Sequence, residues 1–297
     1  MAKVQTKREL ASLFRYLGIR PRKGLSQSFL VDHNLLKFMV RTAEVGSQDL
    51  AVDIGCGTGL LTAHLADAAG RVIGVEVDRG LFAICSRYLE RRPNVRLLRG
   101  DALESKRRLS PALLEAIEQE MGSGGWRTLR VVSNLPYSVA SLLVPNLLES
   151  GLPIGLMVVT VQKEVADRMA AEAGPDDYGA LSLVVQAHAR VELVRHVPPE
   201  VFWPRPKVVS AILRLAPDPE RRAAIQDYGT FSRLAHAAFA YRRKMLANSL
   251  SASRLLEDGT QIDHLLARCG IAQGTRAEAV TLAQYIALAN ALSALGE

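Results

Sequence analysis

Apolar residues recur along the chain in two alternating patterns, short continuous runs and longer stretches with helical spacing. The short runs predict strands near 50–54, 71–77, 95–99, 129–133 and 155–161. Helical spacing fills most of the gaps, and a helix is predicted over about 33–44 with Asp32 as its N-cap. Strands that alternate with helices form βαβ units, so the sequence predicts an α/β fold built on a parallel sheet.

The pattern changes after Ala216-Pro217-Asp218-Pro219-Glu220. Before this point two further strand-like runs are predicted, at about 181–194 and 208–215. After it the spacing is helical, in Phe231–Leu250, Ile262–Cys269 and Ala277–Leu295. The domain boundary is therefore placed at this change of pattern.

Three parts of the chain are predicted on this basis. They are a basic N-terminal arm at 1–24, a main domain at 25–216 and a smaller C-terminal helical domain at 217–297. Within the main domain, the polar segment 104–125 closes with a Gly-Ser-Gly-Gly stretch. It is interpreted as an insertion that forms a surface helix.

Composition narrows the class of protein. With 297 residues, 48% of them hydrophobic, the chain can bury a sizeable core, and no run approaches the roughly 20 apolar residues of a membrane helix. The three cysteines and six histidines show no metal-ligand spacing. We therefore expect a reduced, cytoplasmic protein without a metal or a membrane partner.

The net charge of +7 is unevenly distributed. Residues 1–25 hold seven Lys and Arg against one acid, and residues 205–254 hold ten against three, so the rest of the chain carries −6. Two basic segments are typical of a protein that binds a polyanion. Two solvated faces would give the same pattern, and the Arg-rich N-terminus also has features of a transit peptide, although it is poor in serine.

A glycine-rich turn, Asp53-Ile54-Gly55-Cys56-Gly57-Thr58-Gly59, follows the first strand of the predicted sheet. A dinucleotide fingerprint would need its third glycine at Leu60, so this spacing excludes a nicotinamide oxidoreductase. The second strand ends at Glu76 and the third is followed by Asp101. A glycine turn with acids after the next two strands resembles the S-adenosylmethionine-dependent methyltransferases, where such acids bind ribose hydroxyls and the adenine amine.

The tetrapeptide Asn134-Leu135-Pro136-Tyr137 follows the fourth strand. A polar side chain, a residue without a backbone N–H and an aromatic face can together hold a flat heterocycle by its amine and its ring. Because ligands bind at the carboxyl ends of the strands, this segment indicates an enzyme that modifies a base.

With its neighbours the tetrapeptide matches one family in order and spacing. The other matching segments are Gln27-Ser28-Phe29-Leu30, the glycine turn, Glu76, Gly100-Asp101, Gln162-Lys163-Glu164-Val165, Tyr178-Gly179, Val197–Val208 and Arg242–Leu246. The chain resembles the ribosomal RNA adenine dimethyltransferases of the KsgA family over nearly its whole length. The resemblance implies a Rossmann-like methyltransferase sheet that carries a smaller helical domain.

The resemblance also implies a reaction and a site. Methyl groups from S-adenosylmethionine would pass to N6 of two adjacent adenines in a hairpin near the 3′ end of 16S rRNA, within a pre-ribosomal particle. A monomer is expected because nothing in the sequence demands a larger assembly. The implied catalytic residues are Asn134, Leu135, Pro136, Tyr137 and Phe202. The implied cofactor residues are Gln27, Ser28, Leu30, Asp53, Gly55, Gly57, Gly59, Glu76, Asp101, Ala102 and Asn134, and the RNA-binding residues are Lys207, Arg242, Arg243 and Lys244.

Departures from the family pattern keep alternatives open. Ser28 stands where the family usually has Asn, which puts a cofactor contact from that side chain in doubt, and Asp53 and Cys56 stand where Glu and Pro are common. Cys56 is interpreted as a small loop residue, since nothing nearby in sequence would activate it. The alternatives are an antibiotic-resistance methyltransferase acting on large-subunit rRNA and a non-catalytic assembly or transcription factor that retains the fold.

Overall fold

The computed structural model describes residues 6–19, 21, 27–174, 176–241, 243–253 and 259–295. The chain forms two compact units. The first combines Met1–Ala166 with Glu192–Ala216, and the second combines Asp167–Val191 with Pro217–Glu297. The segment Asp167–Val191 thus groups with the C-terminal helices, whereas the sequence placed it in the main domain.

Strands and helices are numbered in chain order. The strands are β1 (Phe29–Leu30), β2 (Asp49–Ile54), β3 (Arg71–Glu76), β4 (Val95–Arg99), β5 (Leu103–Ser105), β6 (Arg108–Leu109), β7 (Thr128–Asn134), β8 (Ile154–Gln162), β9 (Ala189–Val197), β10 (Phe202–Trp203) and β11 (Ser210–Pro217). The helices are α1 (Lys7–Tyr16), α2 (His33–Thr42), α3 (Leu60–Ala66), α4 (Arg79–Leu89), α5 (Pro111–Gly124), α6 (Ala140–Glu149), α7 (Lys163–Ala170), α8 (Ala180–Gln186), α9 (Pro219–Ala223), α10 (Tyr228–Phe239), α11 (Leu246–Ala252), α12 (Gly259–Arg268) and α13 (Leu282–Ser293). Short 3₁₀ turns occur at Pro199–Val201 and Ala277–Ala279.

Within the described residues, the central sheet has seven strands in the order β4-β3-β2-β7-β8-β11-β9. Five neighbouring strands of this sheet run parallel, namely β4, β3, β2, β7 and β8. The next strand, β11, is antiparallel to β8. The chain order reverses between β2 and β7, which makes their carboxyl ends the expected binding crevice of such a sheet. The predicted α/β class and all five predicted parallel strands are confirmed.

The centre of the sheet is apolar because it is covered on both faces. Every residue of β2 is buried, and its Ala51 packs in the same apolar cluster as Met39 of α2 and Leu65 of α3. The helix α2 begins at its predicted N-cap, where Asp32 accepts the backbone N–H of Leu35 at 2.9 Å. A continuous apolar run is the normal composition of a parallel strand buried on both faces.

The 104–125 segment packs into the sheet domain, which corrects its interpretation as an inserted surface helix. It forms the β5–β6 hairpin and then α5, whose Leu113, Ala116 and Ile117 are buried. Glu120 on α5 accepts two hydrogen bonds of 2.9 Å from the Arg71 guanidinium on β3. These bonds lower the pKa of Glu120 below its usual value. The helix therefore packs as the crossover that leads to β7.

The run predicted as a strand at about 181–194 is instead a helix, α8, followed by β9. The Gly179 N–H donates to the Ser182 hydroxyl at 3.0 Å and starts the helix, and Leu183 and Val185 are fully buried. Leu183 packs in the same apolar cluster as Phe231 of α10. Burial against neighbouring helices outweighs the strand preference of the valines, because β-propensity largely reflects context.

The predicted helix Phe231–Leu250 is interrupted. The structure ends α10 at Phe239 and starts α11 at Leu246, and the described residues 240, 241 and 243–245 belong to neither helix. Near the N-terminus, the basic segment contains a helix that the sequence did not predict, α1, which begins with a capping box between Thr6 and Glu9. No helix in the described part of the chain is long and apolar enough to span a membrane.

We expect Ile117→Ala to lower the free energy of unfolding by about 2–5 kcal/mol, because it leaves a cavity beneath α5. Chemical denaturation followed by circular dichroism measures this loss. Glu118 is exposed on the same helix, so Glu118→Ala should change stability by no more than about 0.5 kcal/mol. If both substitutions changed the free energy of unfolding by the same small amount, α5 would be a surface helix that does not contribute to the core.

Candidate active site

A cleft of about 870 Å³, open to solvent, lies at the carboxyl ends of the parallel strands. Loops after β2, β3, β4 and β7 and the segment before β1 form its walls. It brings together most of the residues predicted from the sequence, namely Gln27, Ser28, Gly55, Gly57, Glu76, Asp101, Ala102, Asn134, Leu135, Pro136 and Tyr137. Phe29, Val77, Leu103 and Val139 also line it and were not predicted as site residues.

The glycine turn is held between two other segments of the cleft. Gly55 has a φ of +74° and Gly57 a φ of +58°, which L side chains rarely adopt. A Cβ at Gly55 would lie 3.1 Å from the Pro136 ring, and one at Gly57 would lie 3.1 Å from the Phe29 ring. Glycine is thus required both for the turn and for the close approach of the tetrapeptide and β1.

Glu76 ends β3 with its carboxylate in the wall of the cleft. One oxygen accepts the Gly57 N–H at 2.8 Å and the other accepts the Asp78 N–H at 2.8 Å. Only 4% of the residue is exposed, and this burial raises the pKa of its carboxyl. Each oxygen retains a further lone pair. The carboxylate therefore fixes the glycine turn and can still accept two hydroxyl groups of a ligand.

The wall after β4 combines a carboxylate with apolar surface. Asp101 is exposed, and its Oδ1 accepts the Leu103 N–H at 3.0 Å. The carbonyl of Ala102 accepts the Ser110 N–H at 2.8 Å, which closes the base of the β5–β6 hairpin. Val77, 48% exposed, is a large apolar side chain at the rim. An aromatic ring with an exocyclic amine fits this mixture of surfaces.

Asn134 is the last residue of β7, and its side chain is oriented by the main chain of Ser28. Its Nδ2 donates to the Ser28 carbonyl at 2.9 Å. The opposite orientation would set two acceptor oxygens against each other, so Oδ1 must point away from Ser28. Asn134 Oδ1 is buried and has no hydrogen-bond partner among the described residues. A buried acceptor costs free energy unless it is satisfied, so this atom is suited to accept an N–H from a ligand.

Tyr137 is fixed by a residue from another strand. Its hydroxyl lies 2.5 Å from the hydroxyl of Ser210, a fully buried residue at the start of β11. Burial raises the pKa of the phenol. The Leu135 N–H donates to the Thr160 carbonyl at 3.1 Å, and the Pro136 carbonyl accepts the Val139 N–H. The tetrapeptide is thus anchored at both ends while Tyr137 lines the cleft.

Ser28 takes part mainly through its main chain. Its hydroxyl donates to the Pro204 carbonyl at 3.2 Å, which ties the segment to the loop after β10. Its carbonyl orients Asn134. The replacement of the family's usual Asn by Ser therefore leaves this positioning contact in place.

Four predicted site residues do not line the main cleft: Leu30, Asp53, Gly59 and Phe202. The ladder between β1 and β10 pairs Phe29 with Trp203 and Leu30 with Phe202. Since strand residues alternate between faces, Leu30 and Phe202 enter the core while Phe29 turns towards the cleft. Phe202 is only 1% exposed, so it is not available to stack on a base. Phe29 could not be predicted as a site residue, because β1 is only two residues long and too short to show an alternating pattern in the sequence.

Asp53 and Cys56 belong to the glycine turn but are buried and do not line the main cleft. Asp53 accepts the Thr62 hydroxyl at 2.7 Å, and burial raises its pKa to about 7. The Cys56 sulfur is 3.6 Å from that of Cys85, and this contact together with burial raises the pKa of the Cys56 thiol well above its usual value. A thiol of this kind is a poor nucleophile, which agrees with its interpretation as a loop residue.

The predicted RNA-binding residues are exposed where they are described. Lys207, Arg243 and Lys244 are exposed, and the Lys244 ammonium lies 4.4 Å from the centre of the Tyr241 ring. Arg242 lies outside the described residues. Arg243 and Lys244 belong to the loop between α10 and α11, which corrects their assignment to a helix. Across the described chain, no three His, Cys, Asp or Glu side chains gather as metal ligands would.

We expect stability to depend on pH through Asp53. Folded Asp53 keeps its proton up to about pH 7, whereas an unfolded Asp loses it near pH 3.9. The folded state thus binds more protons in this window, so the free energy of unfolding falls as the pH rises through it. Asp53→Asn should remove up to about 1.4 kcal/mol per pH unit of that slope. Urea unfolding between about pH 4.5 and 6.5 tests this, and parallel curves for both proteins would contradict it.

Comparison with known proteins identifies the family. The model of the ribosomal RNA adenine dimethylase family matches residues 18–294. The ribosomal RNA small subunit methyltransferase A of Moorella thermoacetica is 40% identical over 293 residues, covering 98% of this chain and 99% of that protein. Its counterpart from Pelotomaculum thermopropionicum is 39% identical over 278 residues, covering 94% and 93%.

A solved structure shares the fold. The dimethyladenosine transferase from Plasmodium falciparum superposes with a TM-score of 0.74 at 22% identity, over 89% of this chain and 97% of that one. The family match and the two bacterial relatives extend over nearly the whole sequence. The chain therefore belongs to the ribosomal RNA adenine dimethylase family.

Proposed function

We propose that the protein transfers methyl groups from S-adenosylmethionine to N6 of two adjacent adenines in a hairpin near the 3′ end of 16S rRNA. It is an S-adenosylmethionine-dependent rRNA adenine dimethyltransferase. The observation that carries the site assignment is Asn134 Oδ1, a buried acceptor in the cleft that finds no partner in the described part of the chain. Action on a pre-ribosomal particle, as a monomer and in the cytoplasm, belongs to the same proposal.

The residues of the cleft fit the cofactor. S-adenosylmethionine, when bound, supplies an electrophilic methyl group on a sulfonium centre. The remaining lone pairs of Glu76 suit the ribose hydroxyls, and Asp101 suits the adenine amine. Val77 offers an apolar surface to the adenine ring. The glycine turn brings main chain close to the ligand, because no side chain intervenes at Gly55 or Gly57.

The acceptor side of the cleft prepares the amine for attack. The N6 lone pair of adenine is delocalised into the ring, so the free amine is a weak nucleophile. Hydrogen bonds from N6 to Asn134 Oδ1 and to the Leu135 carbonyl would draw the nitrogen towards a tetrahedral shape and free its lone pair. Both acceptors are held in advance, Asn134 by Ser28 and Leu135 by its bond to Thr160. Positioning of this kind lowers the barrier without a general base.

Tyr137 supplies the face for the adenine ring. Stacking of a base on an aromatic side chain contributes about 1–3 kcal/mol. The bond to Ser210 fixes the ring direction before the base arrives, so less conformational freedom is lost on binding. The target adenine has to leave its stack at a cost of a few kcal/mol, which is smaller in a hairpin loop.

Charge outside the cleft would hold the RNA. Lys207, Arg243 and Lys244 are exposed cations suited to phosphates, and Arg242 belongs to the same proposed set. Such contacts release counterions, so binding should weaken steeply with salt. The relatives are small-subunit enzymes by name, which favours the 16S assignment over a large-subunit substrate. The complete acceptor set of Asn134 to Tyr137 argues against a non-catalytic factor.

We expect Asn134→Ala to reduce methyl transfer by at least about a hundredfold, because it removes the acceptor that orients N6. Tritium transfer from labelled S-adenosylmethionine to unmethylated small ribosomal subunits measures the loss. Titration calorimetry should show cofactor affinity within about threefold of the original protein. Full tritium incorporation by this variant would remove Asn134 from the mechanism.

A substitution at Ser28 distinguishes the contribution of its side chain to methyl transfer from that of its main chain. We expect Ser28→Ala to retain methyl transfer within about threefold, because the contact to Asn134 comes from the carbonyl, which alanine preserves. The same tritium assay measures it. A loss as large as that of Asn134→Ala would mean that the Ser28 hydroxyl itself contacts a ligand.

A further inference from the structure

The β5–β6 hairpin, which contributes Leu103 to the cleft wall, carries a group of cations. Its two turn residues are Lys106 and Arg107, and Arg108 begins the returning strand. All three side chains are exposed. This group lies outside the two basic segments, in a remainder of the chain whose net charge is −6. Resting on the proposed function, we infer that Lys106 and Arg107 bind phosphates of the RNA strand next to the target adenines.

The charges of the tip are available to a partner. Arg108 lies 3.5 Å from the Glu104 carboxylate, which offsets its charge. Among the described residues, no carboxylate pairs with Lys106 or Arg107. Their side chains are therefore two uncompensated positive charges at adjacent positions, which repel each other unless an anion lies between them.

Folding of the hairpin does not require these residue types. Two-residue hairpin turns favour Asn, Asp and Gly, which tolerate the backbone angles of such turns. Lys and Arg bring no comparable benefit. The turn is held instead by main-chain contacts, since the Lys106 carbonyl accepts from the Asn146 amide at 3.1 Å and the Arg107 N–H donates to the Ser105 hydroxyl at 3.4 Å.

The hairpin is joined to both sides of the cleft. Its first strand continues directly from Asp101 and Ala102, and Leu103 lines the cleft. Its turn is fixed by Asn146 to α6, the helix that follows the tetrapeptide and contributes Leu143 to the cleft wall. Lys106 lies three residues beyond Leu103, a strand distance of about 10 Å. That distance suits a phosphate flanking the nucleotide in the cleft.

The double substitution Lys106→Ala/Arg107→Ala tests the inference. Removal of two phosphate contacts should weaken binding of an unmethylated small-subunit rRNA hairpin about tenfold near 0.15 M salt, and lower the slope of log Kd against log salt by about 1.4–1.8. In tritium transfer to small subunits, kcat/KM should fall by a similar factor with kcat within about twofold. Cofactor affinity by calorimetry should be unchanged.

The matched control is Arg87→Ala/Arg91→Ala, which removes the same charge. Arg87 and Arg91 are exposed at the end of α4 and just beyond it. Because α4 leads from the carboxyl end of β3 back to the start of the parallel strand β4, its end lies away from the carboxyl ends that form the cleft. We expect this control to keep the original salt slope and kcat/KM. An equal loss in both double variants, or an unchanged salt slope in the hairpin variant, would overturn the inference.

Two further results distinguish a failure of this inference from a failure of the proposed function. Loss of cofactor affinity in the hairpin variant and in the single variant Lys106→Gln would make the tip a structural element and overturn the inference. Absence of transfer to small subunits by the unsubstituted protein would refute the proposed function instead. RNA binding and its salt slope decide the role of the hairpin in either case.

Discussion

The hydrogen bond from Asn134 Nδ2 to the Ser28 carbonyl is the contact on which the acceptor site depends. It joins the end of the central strand β7 to the segment that leads into β1. A carbonyl can only accept, so the bond determines which end of the Asn134 amide faces the cleft. The segment is itself held by the β1–β10 ladder and by the bond from the Ser28 hydroxyl to Pro204. A short ribbon outside the main sheet thus sets the direction of the key acceptor.

The sheet and much of the cleft follow from local sequence. Continuous apolar runs identified all five parallel strands, because a strand buried on both faces has few other compositions. The glycine turn, Glu76, Asp101 and the tetrapeptide follow strand ends, and parallel strands bring their carboxyl ends to one edge. The position of each of these residues at the edge of the sheet could therefore be predicted from the strand that it follows.

The elements that sequence reasoning missed depend on contacts between distant segments. The strand-like run at Leu181–Val185 becomes α8 because Leu183 is buried with Phe231, fifty residues or so away in the chain. Phe202, predicted to face the base, lies in the core, and Phe29 lines the cleft, because the β1–β10 register determines which face each occupies. Asn134 could be predicted as a site residue, but not that its orientation comes from the Ser28 main chain. No local pattern encodes such partners.

Apart from the Glu76 carboxylate, the buried groups of the site are neutral and its charged groups are exposed. Groups that would contact the reacting amine, the Asn134 amide and the Leu135 carbonyl, are uncharged, and their dipoles are fixed before a ligand arrives. Dipoles held in a desolvated site need little reorganisation as charge moves from sulfur to nitrogen. Cations such as Lys106 and Lys207 remain exposed, where they can attract phosphates without the large cost of burying a charge. Asp53 fits this division, because burial raises its pKa to about 7 and thereby limits negative charge at the start of the glycine turn. A second full carboxylate there would lie close to Glu76 and make ionisation of that residue harder, which would weaken its bonds to ribose hydroxyls.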